Sequence, residues 1–276
     1  MTPGELVRLF ERDFAAAGIE TPATDALRLV AEITGIPELE MDLAPAAAID
    51  GAAEARLREL ARRRCRREPL QYLTGKAFFR DLELAVSPAV LIPRPETELL
   101  VDFLLASAPE GGRVLDLGTG SGAIAVAAAA ERPDLAVTAA DISIQALGTA
   151  RKNAEKYGVK IRFVESDLFA ALEEETFDFI AANLPYVTDE EYGTLQPEVR
   201  DHEPRSALTA PDGGFAVIAR AAAELPCRLA PGGRAAFELS PPQAPRLVTL
   251  FRSLGLAAHT ARDLAGRDRF VFAEKT

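Results

Sequence analysis

The sequence predicts an α/β protein in which a small helical domain precedes a seven-stranded, doubly wound sheet. Three observations carry that expectation. Amphipathic helical patterns fill the first 75 residues. From about residue 113 onward strand-like runs alternate with helical ones, the βαβ rhythm of a parallel sheet. A glycine-rich turn follows the first of those strands and an acidic residue ends the second, at the carboxyl edge where open α/β sheets bind ligands.

The elements follow in order. Thr2-Pro3-Gly4-Glu5 is an N-cap, a proline at the first helical position and a capping-box glutamate, with Leu6, Leu9, Phe10 and Phe14 on one face behind it. Thr21-Pro22 opens a second helix that buries Leu27, Val30 and Ile33 and stops at Gly35 and Pro37. A third runs from Asp50 to about Arg67, with Ala53, Leu57, Leu60, Ala61 and Cys65 at helical spacing. Its other faces carry seven arginines between Arg56 and Arg67, either a solvated surface salted by Glu54, Glu59 and Glu68 or a surface that docks a partner. Rough alternation through Phe78, Phe79, Leu82, Leu84, Val86 and Val90, punctuated by Pro88 and Pro93, predicts a hairpin connector over 76–92. The second domain then spans 93–276. Its strands are expected at 113–117, 136–140, 161–165, 177–182, 234–239, 256–260 and 269–273, and its helices at 122–131, 144–157, 214–229 and 242–254.

Composition narrows the function. The 276 residues are 48% hydrophobic and 26% charged, ordinary for a folded soluble protein. Cys65 and Cys227 stand alone, and His202 and His259 are the only histidines, so disulfide scaffolds, zinc hydrolases and cysteine proteases are excluded. The start of the chain has no signal-peptide pattern and no apolar run approaches a membrane span, so a cytoplasmic protein is expected. A net charge of −11 argues against a surface that tracks nucleic-acid phosphates.

The chemistry lies in two motifs. Asp116-Leu117-Gly118-Thr119-Gly120-Ser121-Gly122 turns from strand into helix, and Asp141 ends the next strand where its carboxylate can accept hydrogen bonds from both hydroxyls of a ribose. The spacing also satisfies a dinucleotide fingerprint, so a dehydrogenase stays open on spacing alone. Asp116, two places before the first glycine, makes the run resemble the S-adenosylmethionine loop of the Rossmann-like, seven-stranded methyltransferases. The fourth strand ends in Asn183-Leu184-Pro185-Tyr186. An NH2 group that is to receive a methyl needs two acceptors for its N–H bonds, and the Asn183 side-chain oxygen and the Leu184 carbonyl supply them. Tyr186 offers a flat face to a planar amide or base. No general base is obligatory, because a methylated nitrogen becomes acidic enough to lose its proton to water. Read in isolation, the same four residues are a strand-ending turn with Pro185 as breaker.

Over nearly its whole length the sequence resembles the N5-glutamine methyltransferases of class I peptide chain release factors, the PrmC or HemK family. The resemblance rests on Glu68-Pro69-Leu70-Gln71-Tyr72-Leu73-Thr74-Gly75, Leu91-Ile92-Pro93-Arg94-Pro95-Glu96-Thr97-Glu98, the Asp116 to Gly122 loop, Asp141-Ile142-Ser143, Ser166-Asp167-Leu168-Phe169, His202-Glu203-Pro204-Arg205-Ser206-Ala207-Leu208 and Asp263-Leu264-Ala265-Gly266-Arg267-Asp268. It implies a helical domain over 1–75 that helps dock the release factor and a body that methylates the glutamine of its Gly-Gly-Gln motif. It also implies that Gly118, Thr119, Gly120, Ser121, Gly122 and Asp141 hold S-adenosylmethionine, with Phe169 near the adenine and Arg94 to Thr97 on the cofactor side. Asn183, Leu184, Pro185 and Tyr186 would clamp the glutamine amide, Asn183 also bordering the cofactor. The chain departs from the family pattern at Leu184, where a proline is usual, and at Ser240, where glycine usually follows Glu-Ile. Asn-Leu-Pro-Tyr also looks like the motif of ribosomal RNA adenine dimethyltransferases. An adenine-N6 methyltransferase for RNA or DNA and an inactive cofactor-binding protein are therefore the alternatives.

Overall fold

The computed structural model describes residues 1–43, 48–172 and 174–276, which group into two compact units. The first comprises Met1–Gly75 together with Gln196–His202. Its helices are Pro3–Ala16, Pro22–Thr34, Gly51–Cys65 and Leu70–Thr74, and the Thr2/Glu5 capping box forms as the sequence suggests. Leu6, Phe10, Phe14, Leu29, Val30, Leu57 and Leu60 make the core. The second helix is rotated from the expected face: Asp25, Ala26, Leu29 and Val30 are buried, whereas Leu27 and Ile33 are only partly covered.

The cause is a charge. Arg64 of the third helix is buried, with Nε on Asp25 Oδ2 at 2.8 Å and Nη2 on Glu198 Oε1 at 2.9 Å. Arg67 grips the same Glu198 at 2.7 Å through both of its oxygens. The arginine cluster is thus of two kinds. Arg58, Arg62 and Arg63 pair with Glu54, Glu59 and Glu68, as a salted surface requires. Arg64 instead holds a segment that the sequence reading left inside the body, because a buried guanidinium must have its charge matched.

The second unit comprises Lys76–Leu195 and Glu203–Thr276. The hairpin β1 (Lys76–Phe79) and β2 (Leu82–Ala85) forms, but as part of this unit rather than as a separate connector. Phe79, Leu82 and Leu84 bury with Leu100, Val101 and Leu104 of a helix, Thr97–Ser107, that has no counterpart among the expected elements. That helix carries apolar residues over 99–101 and 103–106, which weakens its amphipathic period.

The remaining strands are β3 (Arg113–Leu117), β4 (Ala136–Asp141), β5 (Ile161–Glu165), β6 (Phe177–Asn183), β7 (Leu229–Glu238), β8 (Ala257–Arg262) and β9 (Asp268–Glu274). They form one seven-stranded sheet in the order β5-β4-β3-β6-β7-β9-β8. The first five run parallel to one another, and β9 runs antiparallel to both β7 and β8. The seven-stranded doubly wound sheet is as the sequence predicts, with an antiparallel pair at one edge. The connection over 263–267 is too short for a crossover, which needs about a dozen residues, so β8 and β9 must pair as a hairpin. The helices Ala123–Glu131, Ile144–Tyr157, Ala216–Arg228 and Ala244–Ser253 supply the layers. The chain moves outward from β3 to β5 and then returns to β6 on the other side of β3, so the order reverses there and opens a crevice at the carboxyl ends.

Candidate functional site

The glycine loop leaves β3 at Leu117 and folds over the end of β4, where the Gly118 and Thr119 N–H groups donate to the Ala140 carbonyl at 2.8 and 3.0 Å. Gly118 has φ 78°, and a Cβ there would lie 2.9 Å from Leu184 Cδ2, so only glycine lets the two motifs touch. Thr119 and Ser121 turn their side chains inward and are buried, Thr119 donating to Asp116 Oδ2 at 2.5 Å. What the loop offers a ligand is backbone. Burial pushes the Asp116 carboxyl up to about 7, against the pull of the Thr119 hydroxyl and the Ala125 N–H.

Asp141 stands at the end of β4 with Oδ2 on the Gly120 N–H at 2.9 Å and Oδ1 on the Ser143 N–H at 2.8 Å. Burial raises its pKa, and those backbone donors oppose the rise. A carboxylate has about four acceptor positions, so two more hydrogen bonds can be made, the number a ribose diol donates. With the open space in front of Gly120, where among the described residues no atom beyond its chain neighbours lies within 4 Å of an added Cβ, these residues fit a nucleoside-bearing cofactor.

Phe169 does not face that space. It is wholly buried in the core, with the Arg228 guanidinium 5.3 Å from its ring. The turn before it explains why: Leu168 adopts φ 53°, reversing the chain, and Ser166 Oγ accepts the Ala171 N–H, so the phenyl group is thrown under the sheet. Asp167 and Ala170 are the exposed residues of that turn.

Asn183 closes β6 directly opposite Glu238 of β7 in the parallel register. Its Nδ2 donates to Thr97 Oγ1 at 3.0 Å, and Thr97 Oγ1 donates to Glu238 Oε2 at 2.7 Å. The Tyr186 hydroxyl reaches Glu238 Oε1 at 3.5 Å. Burial pushes the Glu238 carboxyl up to about 7 and raises the Tyr186 phenol further above its ordinary value. Behind the turn, Gln243 Nε2 donates to the carbonyls of Tyr186 and Gly213, both at 2.9 Å. Gly214, at φ 75°, packs so tightly there that a Cβ would sit 2.0 Å from the Tyr186 carbonyl oxygen. Leu184 is buried between the core and Gly118, while Pro185 and Tyr186 stay partly exposed.

Of the run Arg94 to Thr97, the structure places Thr97 against Asn183 and Arg94 against Glu203. Thr97 makes the contact just described, and Arg94 pairs at 2.6 Å with buried Glu203, whose other oxygen accepts the Ile92 N–H. Local sequence pattern signals neither Asn153 nor the pairing of Thr97 with Glu238. Glu238 and Thr97 lie 141 positions apart. Asn153 is wholly buried, with Oδ1 on the Ala85 N–H at 2.7 Å and Nδ2 on the carbonyls of Ala85 and Ser121 at 3.0 and 2.8 Å. It ties the hairpin to the glycine loop.

Comparison with known proteins decides what this arrangement belongs to. The Methyltransferase small domain family matches residues 95–226, and the PrmC N-terminal domain family matches 5–75. The release factor glutamine methyltransferase of Deinococcus radiodurans is 40% identical over 261 residues, covering 94% of this chain and 93% of its own length. The enzyme of the same name from Nitratidesulfovibrio vulgaris is 38% identical over 98% of this chain and 94% of its own. The chain belongs to the release factor glutamine methyltransferase family. Among solved structures, the T. thermophilus 16S rRNA N2 G1207 methyltransferase, in complex with AdoMet and guanosine, superposes with a TM-score of 0.53 at 26% identity, over 73% of this chain and 50% of that one. A methyltransferase from Pyrococcus furiosus, 19% identical with a TM-score of 0.55 over 82% of this chain and 99% of its own, shares the fold. Membership of the family settles the choice that loop spacing left open: the methyl donor is S-adenosylmethionine, and a dehydrogenase is excluded.

Proposed function

We propose that the Asn183–Tyr186 turn grips the side-chain amide of the glutamine in the Gly-Gly-Gln motif of a class I release factor, beside a cofactor seated on the Gly118–Gly122 loop and Asp141. The enzyme is an S-adenosylmethionine-dependent glutamine methyltransferase, as its family is. One observation carries the residue assignment. Asn183 commits its NH2 to Thr97, which leaves its oxygen as an acceptor, at the strand end whose next residue packs on the glycine loop. The cofactor supplies an electrophilic methyl group. The chain's own groups hold the amide N–H bonds, present the nitrogen lone pair and, through Tyr186, cover one face of the amide plane. The nitrogen becomes acidic once methylated and releases its proton to water, so no basic side chain is assigned to it.

The reading further assigns docking of the release factor to the helical unit and gives nucleic acid and membrane no part. The net charge of −11 supports the former exclusion, and no helix among the described residues is long and apolar enough to cross a membrane. The test is incubation with labelled S-adenosylmethionine and, separately, release factor, RNA and DNA. Label is expected on the release factor glutamine, and Asn183→Ala should lower that turnover by about a hundredfold or more with cofactor affinity kept. Label on RNA or DNA instead, or near-native turnover in the variant, would refute the assignment. Arg56→Glu with Arg66→Glu, both exposed positions, should raise KM for the release factor without changing kcat; an unchanged KM removes that face from docking.

A further inference from the structure

The strongest unassigned arrangement beside the site is the hydrogen-bonded chain Asn183, Thr97 and Glu238, whose last two members are buried. We propose that Thr97 and Glu238 are positioning residues that fix which end of the Asn183 amide faces the substrate. The inference rests on the assignment of Asn183 as the amide clamp. Its logic is the direction of the hydrogen bonds. An ionised carboxylate only accepts, so the Thr97 hydroxyl must spend its single proton on Glu238 Oε2, 2.7 Å away. The Thr97 oxygen then has only lone pairs to offer Asn183. The group of Asn183 that lies 3.0 Å from it must be the NH2, and the carbonyl oxygen is turned the opposite way.

Asn183 alone would not ensure this. An asparagine amide is nearly symmetric in shape, and a rotation by half a turn exchanges oxygen for NH2 at little steric cost. In the flipped form an NH2 would confront the NH2 of the glutamine, and the clamp would repel its substrate. Burial of Thr97 and Glu238, 5% and 1% exposed, keeps water from substituting for either partner. The geometry is braced from both sides: Glu238 lies opposite Asn183 in the strand register, and Thr97 is the first residue of its helix.

The polarity of the chain depends on the charge state of Glu238. Once protonated, Glu238 can donate to Thr97, whose proton is then released toward Asn183, and the flipped amide becomes acceptable. Burial and Glu96 favour the protonated form, while Arg269 and the hydroxyls of Thr97 and Tyr186 favour the ionised one.

The test compares the full-length wild type with Thr97→Val, Thr97→Ser and Glu238→Gln. Release factor turnover is measured from pH 6 to 8.5, alongside calorimetric affinity for S-adenosylhomocysteine. Thr97→Val keeps shape but loses the relay, and should lower kcat about 30- to 100-fold with KM and cofactor affinity within about threefold. Thr97→Ser restores the hydroxyl and should stay within about threefold of wild type. Wild-type kcat should fall toward pH 6, and that limb should be absent in Thr97→Val and Glu238→Gln. A Thr97→Val enzyme within about threefold of wild type overturns the proposal, and so does a Thr97→Ser enzyme as impaired as Thr97→Val, since the hydroxyl would not be what matters. The substrate-free protein gives a separate check. The Asn183 side-chain N–H signals should be protected from exchange at pH 8 in wild type and exposed in Thr97→Val. Equal exchange in both refutes the relay whatever the substrate is, whereas a wild type that turns over no release factor but shows protection refutes the substrate assignment alone.

Discussion

Asn153→Ala should be among the most damaging single changes outside the clamp. It removes the partner of three backbone groups at once: the buried Ser121 carbonyl and the part-buried Ala85 N–H and carbonyl. At ~1–3 kcal/mol for each buried group left unpaired, and with water entering the space to re-pair some of them, ~3–5 kcal/mol is expected. At ~2–4 °C per kcal/mol for a chain near this length, Tm should fall by roughly 6–20 °C. Asn153→Asp discriminates the cause. It keeps the shape and can still accept from Ala85, but an ionised carboxylate then faces two carbonyl oxygens. At pH 7.5 it should cost as much as alanine or more, and the loss should shrink as the pH falls and the acid regains a proton to donate. Urea unfolding of the three proteins at pH 5 and 7.5 measures this. An aspartate variant within ~1 kcal/mol of wild type at pH 7.5 would mean that volume alone matters at this position and that the three hydrogen bonds contribute little.

Three further outcomes follow from the site. Asp141→Ala should weaken binding of S-adenosylhomocysteine by ~1.5–3 kcal/mol, or roughly 10- to 150-fold, in calorimetry; an affinity within about twofold of wild type would remove Asp141 from the site. Leu184→Pro should weaken cofactor binding about three- to tenfold, because proline withdraws the methyl groups packed on Gly118, while changing kcat by no more than about fivefold. Unchanged cofactor affinity in that variant would show the Leu184 contact to be idle. Asp116 and Glu238 both have folded-state pKa values raised to about 7, so the folded protein binds more protons than the unfolded chain between about pH 4 and 7. Their contribution to stability is present in full below pH 4 and is lost as the pH rises through 7, a loss that should flatten in Asp116→Asn and that unfolding free energies measured from pH 4 to 8 would show.

How much of this was legible in the sequence depends on the range over which each signal acts. The Thr2/Glu5 capping box, the β3 and β5 boundaries and the helix Ile144–Tyr157 were visible because caps, glycines and period are written within a few residues. The glycine loop and Asp141 were visible for the same reason. Thr97–Ser107 is hard to see because the apolar runs 99–101 and 103–106 blur the polar stripe of Glu98 and Asp102. The resemblance implies that Phe169 lies near the adenine, whereas the left-handed turn at Leu168 precedes a ring wholly buried in the core. Asn153 looks like any polar position on a surface helix, and its burial depends on a hairpin that docks from 68 positions away. Glu238 and Thr97 meet only when the Thr97–Ser107 helix packs beside the end of β7, which local pattern does not encode.

The Glu198 contact bears on how the chain is made. Arg64 and Glu198 are separated by 134 positions, so the helical unit, though it begins at the N-terminus, lacks a member until the middle of the body has been synthesised. At roughly 5–20 residues per second that interval is about 7–27 s, during which Arg64 has Asp25 but not its second carboxylate. The N-terminal helices are therefore expected to emerge as a loosely closed bundle, exposed to premature association and to chaperones, and to lock only when Glu198 arrives. Folding order in this enzyme is set by a chain that must double back to finish what it started first.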